Sequence, residues 1–500
     1  MTADSALTVP DRIDSKAGSC TAKQDCFFIE ASSSPKALPA GHKPWLYLAI
    51  PSLSFAGVQL AWAVLTGHAT AHLRTLGLSD KLVGLAWLGG PVTGTIVQPI
   101  IGVLSDRCTS RFGRRRPFML GGAGLTAIGL VLFSSSQRLA RMVGAAERGS
   151  VALNIGVLTF WIADVAVNIL QGPTRALLAD TTPDGQLALG SCFFAVANGA
   201  GKAVGFGLGA LVDGIEKVFG IAALLIVLLT GACCYVIEEE RLYESEAQSF
   251  ARLLRHTVRE CGSALRDMPS EIRRVFAVQW LTYLSLMLLF IYGADWVGKE
   301  VFGGSGDAAR GSVKRELFDA GVRYGNAALF GMAVGCMVTA PIMLILARRL
   351  GVRSVWAGSL AIVACSFALA VNAGRVMAAV MMTSWCFAAA AALTIPWTLV
   401  SAMLTGERAK RKGVYLASFN LAQATPGLVA STLGSVIVHL WGLPAVMVAV
   451  SVSAALATAA TATVSLPRGI GRRLGLPEPE PEPEHEHEHD ERDACPRAAV

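Results

Sequence analysis

The chain has 500 residues, of which 53% are hydrophobic and only 16% charged, and its mean hydropathy is +0.51. Such a balance excludes an ordinary soluble domain and predicts an all-α, multi-pass membrane protein. The net charge of +7 is no sign of a nucleic-acid partner, because the basic residues gather in short loops between apolar blocks.

In chain order, residues 1–43 are polar and lack a charged-then-apolar leader, so a disordered cytosolic tail is expected there. Twelve apolar blocks follow, at about 44–66, 82–104, 117–135, 151–179, 190–212 and 218–237, then 274–294, 325–347, 354–373, 376–404, 413–440 and 443–466. Each is long enough to cross ~30 Å of hydrocarbon. They divide into six-helix halves at 44–237 and 274–466, joined by a cytosolic loop at 238–273. Within that loop FARLLRHTVRECGSAL has the periodicity of an amphipathic helix lying along the membrane surface. Residues 467–500 carry PEPEPEPEHEHEHDERD, an acidic, His-rich segment that cannot bury a core and is expected to be a disordered cytosolic tail. Its His485, His487 and His489 read as a solvated tail rather than a metal site.

Loop charge sets the orientation. Arg107, Arg111, Arg114, Arg115 and Arg116 follow span 2; Arg348, Arg349 and Arg353 follow span 8. Arg408, Lys410, Arg411 and Lys412 follow span 10, whereas the alternate loops are poorer in basic residues. Both termini and the even-numbered loops are therefore expected in the cytosol. The loop after span 3, with Arg138, Arg141 and Arg148, and the long mixed-charge loop after span 7 fit this rule least well.

Span 4 holds the most informative polar residues. Asp164, Asn168, Gln171 and Arg175 are spaced i, i+4, i+7, i+11 within WIADVAVNILQGPTRALLAD, so a helix carries all four on one face. Eleven residues turn a helix about three times and put the carboxylate and the guanidinium about 16 Å apart along one line. Charges facing lipid cost several kcal/mol, so the stripe should line a water-filled cavity. A proton acceptor and a permanent cation on one cavity wall suggest coupled transport; a structural ion pair with a neighbouring helix is the other reading. Lys202 in span 5 is a further buried charge, read either as offsetting Asp164 or Asp180 or as snorkelling. Gly199, Gly201, Gly205, Gly207 and Gly209 permit close packing of span 5.

Several chemistries are not encoded. Cys192, Cys233, Cys234, Cys336, Cys365 and Cys386 fall inside spans and the other cysteines on the expected cytosolic side, so no disulfide framework is expected. Metal-ligand spacing and a G-x-x-x-x-G-K-[ST] nucleotide loop are both missing, which leaves an ion or substrate gradient as the energy source. No nucleophile–base pair stands among the polar positions, so an enzyme is not expected, and no cofactor is called for.

The loop after span 2 reads GVLSDRCTSRFGRRRP, from Gly102 to Pro117. It resembles the G-x-x-x-D-R-x-G-R-R signature of the major facilitator superfamily, with extra residues between its two parts. Asp106 can pair there with Arg107, Arg114 or Arg115 and face a helix N-terminus, forming a cytosolic latch broken in each cycle. SDRCTSRFGRRRP is specific to a narrower group: it resembles the proton-coupled sucrose transporters of the glycoside–pentoside–hexuronide group. DVAVNILQGPTRALLAD in span 4, YGADWVGKEVFGG in span 7, IPWTLVSAM in span 10 and GVYLASFNLAQATPGLV in span 11 are similar to that family in the same order.

The resemblance implies a twelve-helix major facilitator fold and proton-coupled symport of sucrose or a related glucoside. It implies that Asp164 carries the coupling proton and that Arg175 engages the sugar. It also places Asp295, Lys299 and Glu300 in a charged gating cluster at the outer end of span 7. Sugar recognition needs aromatic faces and paired polar groups. Trp62, Trp161, Trp280, Tyr283 and Trp397 are candidates for the first, and Gln59, Asn168, Gln171, Asn198, Asn420 and Gln423 for the second. Departures from the family lie at His68 and His72, read either as outer-mouth residues with no special role or as pH-sensing or substrate-binding ones, at Val167, and at Gly293, where the family has Asp. An uncoupled facilitator of the same fold and a non-transporting sugar sensor are the alternative readings. The expected partners are a small sugar, protons and the bilayer, at the plasma membrane ahead of the vacuolar one.

Overall fold

The computed structural model describes residues 43–465 apart from 80–81, 184–185, all but three positions of 240–261 and all but one of 405–411. The expectations for both tails and for most of FARLLRHTVRECGSAL lie outside those residues, as do Cys20, Cys26, Cys261, Cys495, Lys410 and Arg411.

Each predicted span coincides with a helix. The first half comprises α1 (Trp45–Leu76), α2 (Val83–Trp87 and Gly89–Asp106), α3 (Arg116–Ser134), α4 (Ser150–Thr181), α5 (Leu187–Leu211) and α6 (Ile215–Val236). The second comprises α7 (Ser270–Trp296), α8 (Val313–Leu350), α9 (Val352–Phe367), α10 (Arg375–Met403), α11 (Lys412–Phe419, Leu421–Ala424 and Pro426–Trp441) and α12 (Leu443–Thr461). Among the described residues ten of these are long and apolar enough to cross a membrane. The two others are α5, diluted by glycines, Asn198 and Lys202, and α9, which has only 16 residues. The last segment of α11 begins at Pro426, which has no N–H to donate and so starts a helix readily but cannot continue one.

Two helices run well past their apolar blocks. α1 continues to Leu76, and its polar last turns are satisfied by protein. Thr70 Oγ1 donates to the Ile291 carbonyl at 2.6 Å, and Arg74 Nε meets Asp295 Oδ2 at 2.5 Å. α8 begins at Val313, capped by Ser312 Oγ, which accepts from the Arg315 amide.

The two halves repeat one packing pattern. α1 packs on α4, α5 and α6, just as α7 packs on α10, α11 and α12. α2 lies on α4 as α8 lies on α10, and α3 lies on α4 and α6 as α9 lies on α10 and α12. Across the halves α5 meets α8, α2 meets α11 and α1 meets α7, so α2 and α8 hold equivalent places. Small residues bring the helix axes together. Gly201 faces the Ala56 backbone and Gly205 faces Leu60 and Ala63 of α1, while Gly199 and Gly207 face Met337 and Phe330 of α8.

The bonds between the halves gather where α1 and α7 finish. Besides Arg74–Asp295 and Thr70–Ile291, the Gly84 amide donates to Ser435 Oγ at 2.7 Å and Asn326 Nδ2 donates to the Gly67 carbonyl at 3.1 Å. The loops at this end are also paired: Arg148 with Asp307 at 2.6 Å, Arg138 with Glu216 at 2.6 Å and Arg141 with Glu147 at 3.1 Å. The arginines that fit the charge rule least well therefore have acidic partners. As exposed pairs they contribute ~0–1 kcal/mol each.

Gly129 lies against the Ala163 backbone at the α3–α4 contact, where a side chain has no room, while Gly121 in the same helix faces open space. Gly129→Leu should separate the helices at a cost of ~1–3 kcal/mol. The purified variant should melt several degrees below the parent. Gly121→Ala should melt with the parent, and equal melting of both variants would contradict the packing described.

Candidate functional site

Span 4's polar stripe lies on α4 as its spacing requires, and exposure grades along it. Asp164 and Asn168 are each 1% exposed and Gln171 is 9% exposed, whereas Arg175 is solvent-exposed. Asp164 is thus nearest the sealed end, and Arg175 is reached by water from the other.

Asp164 is held by α2. Thr93 hydrogen-bonds to Asp164 Oδ2, and Gly90 leaves the space for that carboxylate. Thr93 Oγ1 also lies 3.0 Å from the Gly90 carbonyl and accepts from Asn168 Nδ2 at 3.1 Å. A hydroxyl has one proton, so these partners define two states. With Asp164 ionised, Thr93 donates to it. With Asp164 protonated, the carboxyl donates to Thr93, and Thr93 turns its own proton to Gly90. Both states are satisfied without moving a helix. Gln98 Nε2 then donates to Asn168 Oδ1 at 2.7 Å, which fixes the amide.

One face of α1 answers the stripe. Trp62 Nε1 donates to Gln171 Oε1 at 2.9 Å, and the Arg175 guanidinium lies over the Phe55 ring at 5.5 Å. Phe55 stacks on Phe194 of α5 at 4.4 Å. Gln59 is buried between Phe55 and Trp62 in sequence and on their helical face. Tyr283 of α7 lies within electrostatic range of Arg175. A helix turns ~100° per residue, so Lys202 lies roughly opposite the exposed Val196, Val204 and Leu211 on α5. Its side chain is half-buried on the face of α5 turned away from those residues. It does not offset Asp180, which binds Arg114 at 3.2 Å and Arg115 at 3.0 Å.

Other candidates have structural partners. Trp161 Nε1 donates to the Ala86 carbonyl at 2.8 Å, and Trp280 Nε1 donates to Thr425 Oγ1 at 3.0 Å. Trp397 stands edge-on to Phe419. His72 is not at an outer mouth: it is buried between α1 and α3, with Nε2 3.1 Å from the Phe133 carbonyl and 2.9 Å from Ser136 Oγ. His68 stands edge-on to Phe219 and against the position of Gly209, within the same half.

The span 7 charges differ in burial. Asp295 is fully buried and paired with Arg74, while Lys299 and Glu300 occupy a widened π-helical turn, Val297–Val301, with Glu300 exposed. Arg74 was not singled out in the sequence, although a lone arginine in the last turn of a long apolar helix is a readable signal.

The basic loop after α2 builds a network inside the first half. Arg115 pairs with Asp106, bonds Asp180 and donates to Ser105 Oγ at 2.7 Å. Glu239, just past α6, accepts from the Arg115 and Arg116 amides at 3.0 Å, a carboxylate at the N-terminus of α3. Gly113 has φ +100°, and any side chain there would strike Glu239. The ends of α2, α4 and α6 are thereby tied together. These bonds do not cross between the halves, so a rocking motion need not break them, contrary to the expected latch.

This architecture, with paired helix halves around an interior polar stripe, is the major facilitator fold. The comparisons place it further. The family described as MFS/sugar transport protein matches residues 73–310. The chain is 28% identical to the Arabidopsis thaliana sucrose transport protein SUC3, across 79% of this chain and 83% of that one. It is 28% identical to the rice (Oryza sativa subsp. indica) sucrose transport protein SUT5, across 76% and 80%. Among solved structures, the nucleoside transporter NupG superposes with a TM-score of 0.59 at 12% identity, over 84% of this chain and 98% of that one. A bacterial homologue of the human lysosomal transporter Spinster, inward-facing and unoccupied, gives 0.53 at 17% identity, over 85% and 98%. The chain is a multi-pass membrane protein of the major facilitator fold, similar in sequence to sucrose transport proteins.

Removing one member of the Arg74–Asp295 pair takes its ion-pair partner from the other buried charge, at a cost of up to about 3–5 kcal/mol. Arg74→Gln should therefore lower the melting temperature clearly, and adding Asp295→Asn should recover much of the loss. A double variant no more stable than the single one would show that the pair is not the unit described.

Proposed function

We propose that the chain is a proton-coupled symporter that carries sucrose or a related glucoside across a membrane by alternating access. The observation that bears most weight is the α4 stripe: a carboxyl whose two protonation states are both satisfied by Thr93, in line with a guanidinium that reaches water. The names and coverage of the relatives support a sugar as cargo. Asp164 takes the proton from the side to which the site is open and gives it up on the other. Arg175 binds sugar hydroxyls with its planar fork, and the Phe55–Phe194 stack beside it offers an apolar face to the ring. Asn168, Gln171, Gln59 and Trp62 complete the wall between these groups. The two halves, 44–237 and 274–466, rock about the site, with Asp295 and Arg74 closing one end.

Both termini face the cytosol in this reading, because the loops richest in basic residues follow even-numbered helices. The plasma membrane is the proposed location.

Labelled-sugar uptake into transporter-deficient cells at pH 5.5–7.5, roughly the range over which an outside proton gradient drives coupled uptake, tests the proposal. Uptake should rise as the outside pH falls, and sugar should evoke an inward current. Asp164→Asn should abolish acid-stimulated accumulation while leaving the protein folded in the membrane. Thr93→Val should weaken acid stimulation more than sugar binding. Arg175→Lys should lose most transport. PH-independent equilibration in the parent would make it an uncoupled facilitator, and continued uphill accumulation by Asp164→Asn would move the proton elsewhere.

A further inference from the structure

Asn168 stands on the polar stripe of α4, yet its amide is turned to α2 and is almost wholly used there. Its two N–H groups go to Thr93 Oγ1 at 3.1 Å and to the Asp164 carbonyl at 2.9 Å. Its Oδ1 accepts from Gln98 Nε2 at 2.7 Å, and the residue is 1% exposed. Gln171, about one turn further along, differs. Its Oε1 accepts from Trp62, and among the described residues its Nε2 has no protein acceptor, so both hydrogens are left for a ligand. The stripe changes task between these two amides.

The seam between α2 and α4 fixes which way the Asn168 amide points. Gly90 and Gly94 bring α2 close, facing Asp164 Oδ1 and Asn168 Oδ1. A backbone carbonyl only accepts, so the Asp164 carbonyl holds the amide nitrogen, while Gln98 holds the oxygen from the other side. The nitrogen then donates to Thr93, whose own proton is left for Asp164 or for the Gly90 carbonyl. The donors run in one direction, from Gln98 to Asn168 to Thr93 to Asp164, and bonds in such a chain strengthen one another.

Among the described residues no charged side chain meets the Asp164 carboxylate. On α1, Tyr47 meets Lys43, His68 faces Phe219, His72 bonds to α3 and Arg74 pairs with Asp295. Asp106 of α2 pairs with Arg115, and Arg116 of α3 with Glu239 at 3.8 Å. Arg138 and Arg141, after α3, pair with Glu216 and Glu147. Arg175 and Asp180 lie about three turns or more along α4 itself.

From this geometry, and resting on the reading of Asp164 as the proton carrier, we propose that Asn168 is a positioning residue of the proton site: held by Gln98, it aims the Thr93 hydroxyl at Asp164. Sugar hydroxyls are met by Gln171 and Arg175. A hydrogen bond donated to the ionised carboxylate favours that form, so Asn168 helps Asp164 to release its proton.

The test follows the Asp164 carboxyl by infrared spectroscopy against pH, in the full-length protein reconstituted in lipid. Its C=O band is the one lost in Asp164→Asn. In Asn168→Ala the pH at which half the band remains should rise by about half a unit, roughly threefold in proton concentration, as expected for one weakened hydrogen bond. Gln98→Leu should shift it the same way, by less. In a Thr93→Val background Asn168→Ala should add nothing, because its effect passes through that hydroxyl. A midpoint that stays at the parent's value in both Asn168→Ala and Gln98→Leu overturns the inference, and so does an equal shift with Thr93→Val already present. Should Asn168→Ala fail to fold, the presence or absence of a shift in Gln98→Leu decides. Uptake of labelled sucrose is read in the same proteoliposomes. A raised KM with an unmoved band would make Asn168 a sugar ligand and sink the inference. A parent that moves no sucrose would count against the transport reading, while the titration, which needs no sugar, would still decide the role of Asn168.

Discussion

Hydrocarbon solvates no charge, so each ionised group between these helices must find its partner in the protein or in water admitted between the halves. That constraint orders the molecule. Arg74 and Asp295 solve it by meeting at the joint of α1 and α7, where both are almost wholly buried. The arginines after α2 solve it with the acidic ends of α2, α4 and α6. Arg175 is solved by water. The first two devices make structure, and the third leaves a site. Charge placement thus separates the parts of the molecule closed by ion pairs from the part left open to water.

The spans were legible in the sequence because apolar length is a property of consecutive residues. Helix ends were less so, and α1 shows why. Hydropathy averages over a window, and HATAHLRTL lowers that average, yet the helix continues to Leu76 because Thr70, His72 and Arg74 bond to α7 and α3. Those partners are far away in sequence, so no local pattern announces them. The α4 stripe was readable from its spacing alone, since four polar residues on one helical face lie within twelve positions. Its environment was not. Thr93 and Gln98 are short-range neighbours only after α2 has packed on α4. His68 and His72 show the same limit: both an outer-mouth place and a functional role could be read from the sequence, and only the fold puts their rings against Phe219 and Phe133.

The two charged networks differ in what they ask of a conformational change. The network around Arg115 joins helices of a single half, so it would preserve the shape of that half in the proposed rocking. Arg74–Asp295 spans both halves, together with Thr70–Ile291 and Gly84–Ser435. Parting that end exposes a carboxylate and a guanidinium which hydrocarbon cannot accommodate, so water has to enter as the halves separate. Opening there is therefore coupled to hydration of the interior. The exposed loop pairs such as Arg148–Asp307 add little to this barrier, because water already screens them.

In the proposed function, proton and sugar share one helix face without touching. Asp164 and Arg175 stand eleven residues apart on α4, about 16 Å along its axis, so no single sugar hydroxyl has to bridge them. Whatever effect protonation of Asp164 has on the affinity for sugar, sugar has on the affinity for the proton, because linkage makes the two equal in size. Thr93 then has a second consequence. Its hydroxyl faces both Asp164 and the Gly90 carbonyl, so it can donate to either without moving a helix. The balance between loaded and unloaded forms would then be left to the water and the sugar that enter between the halves.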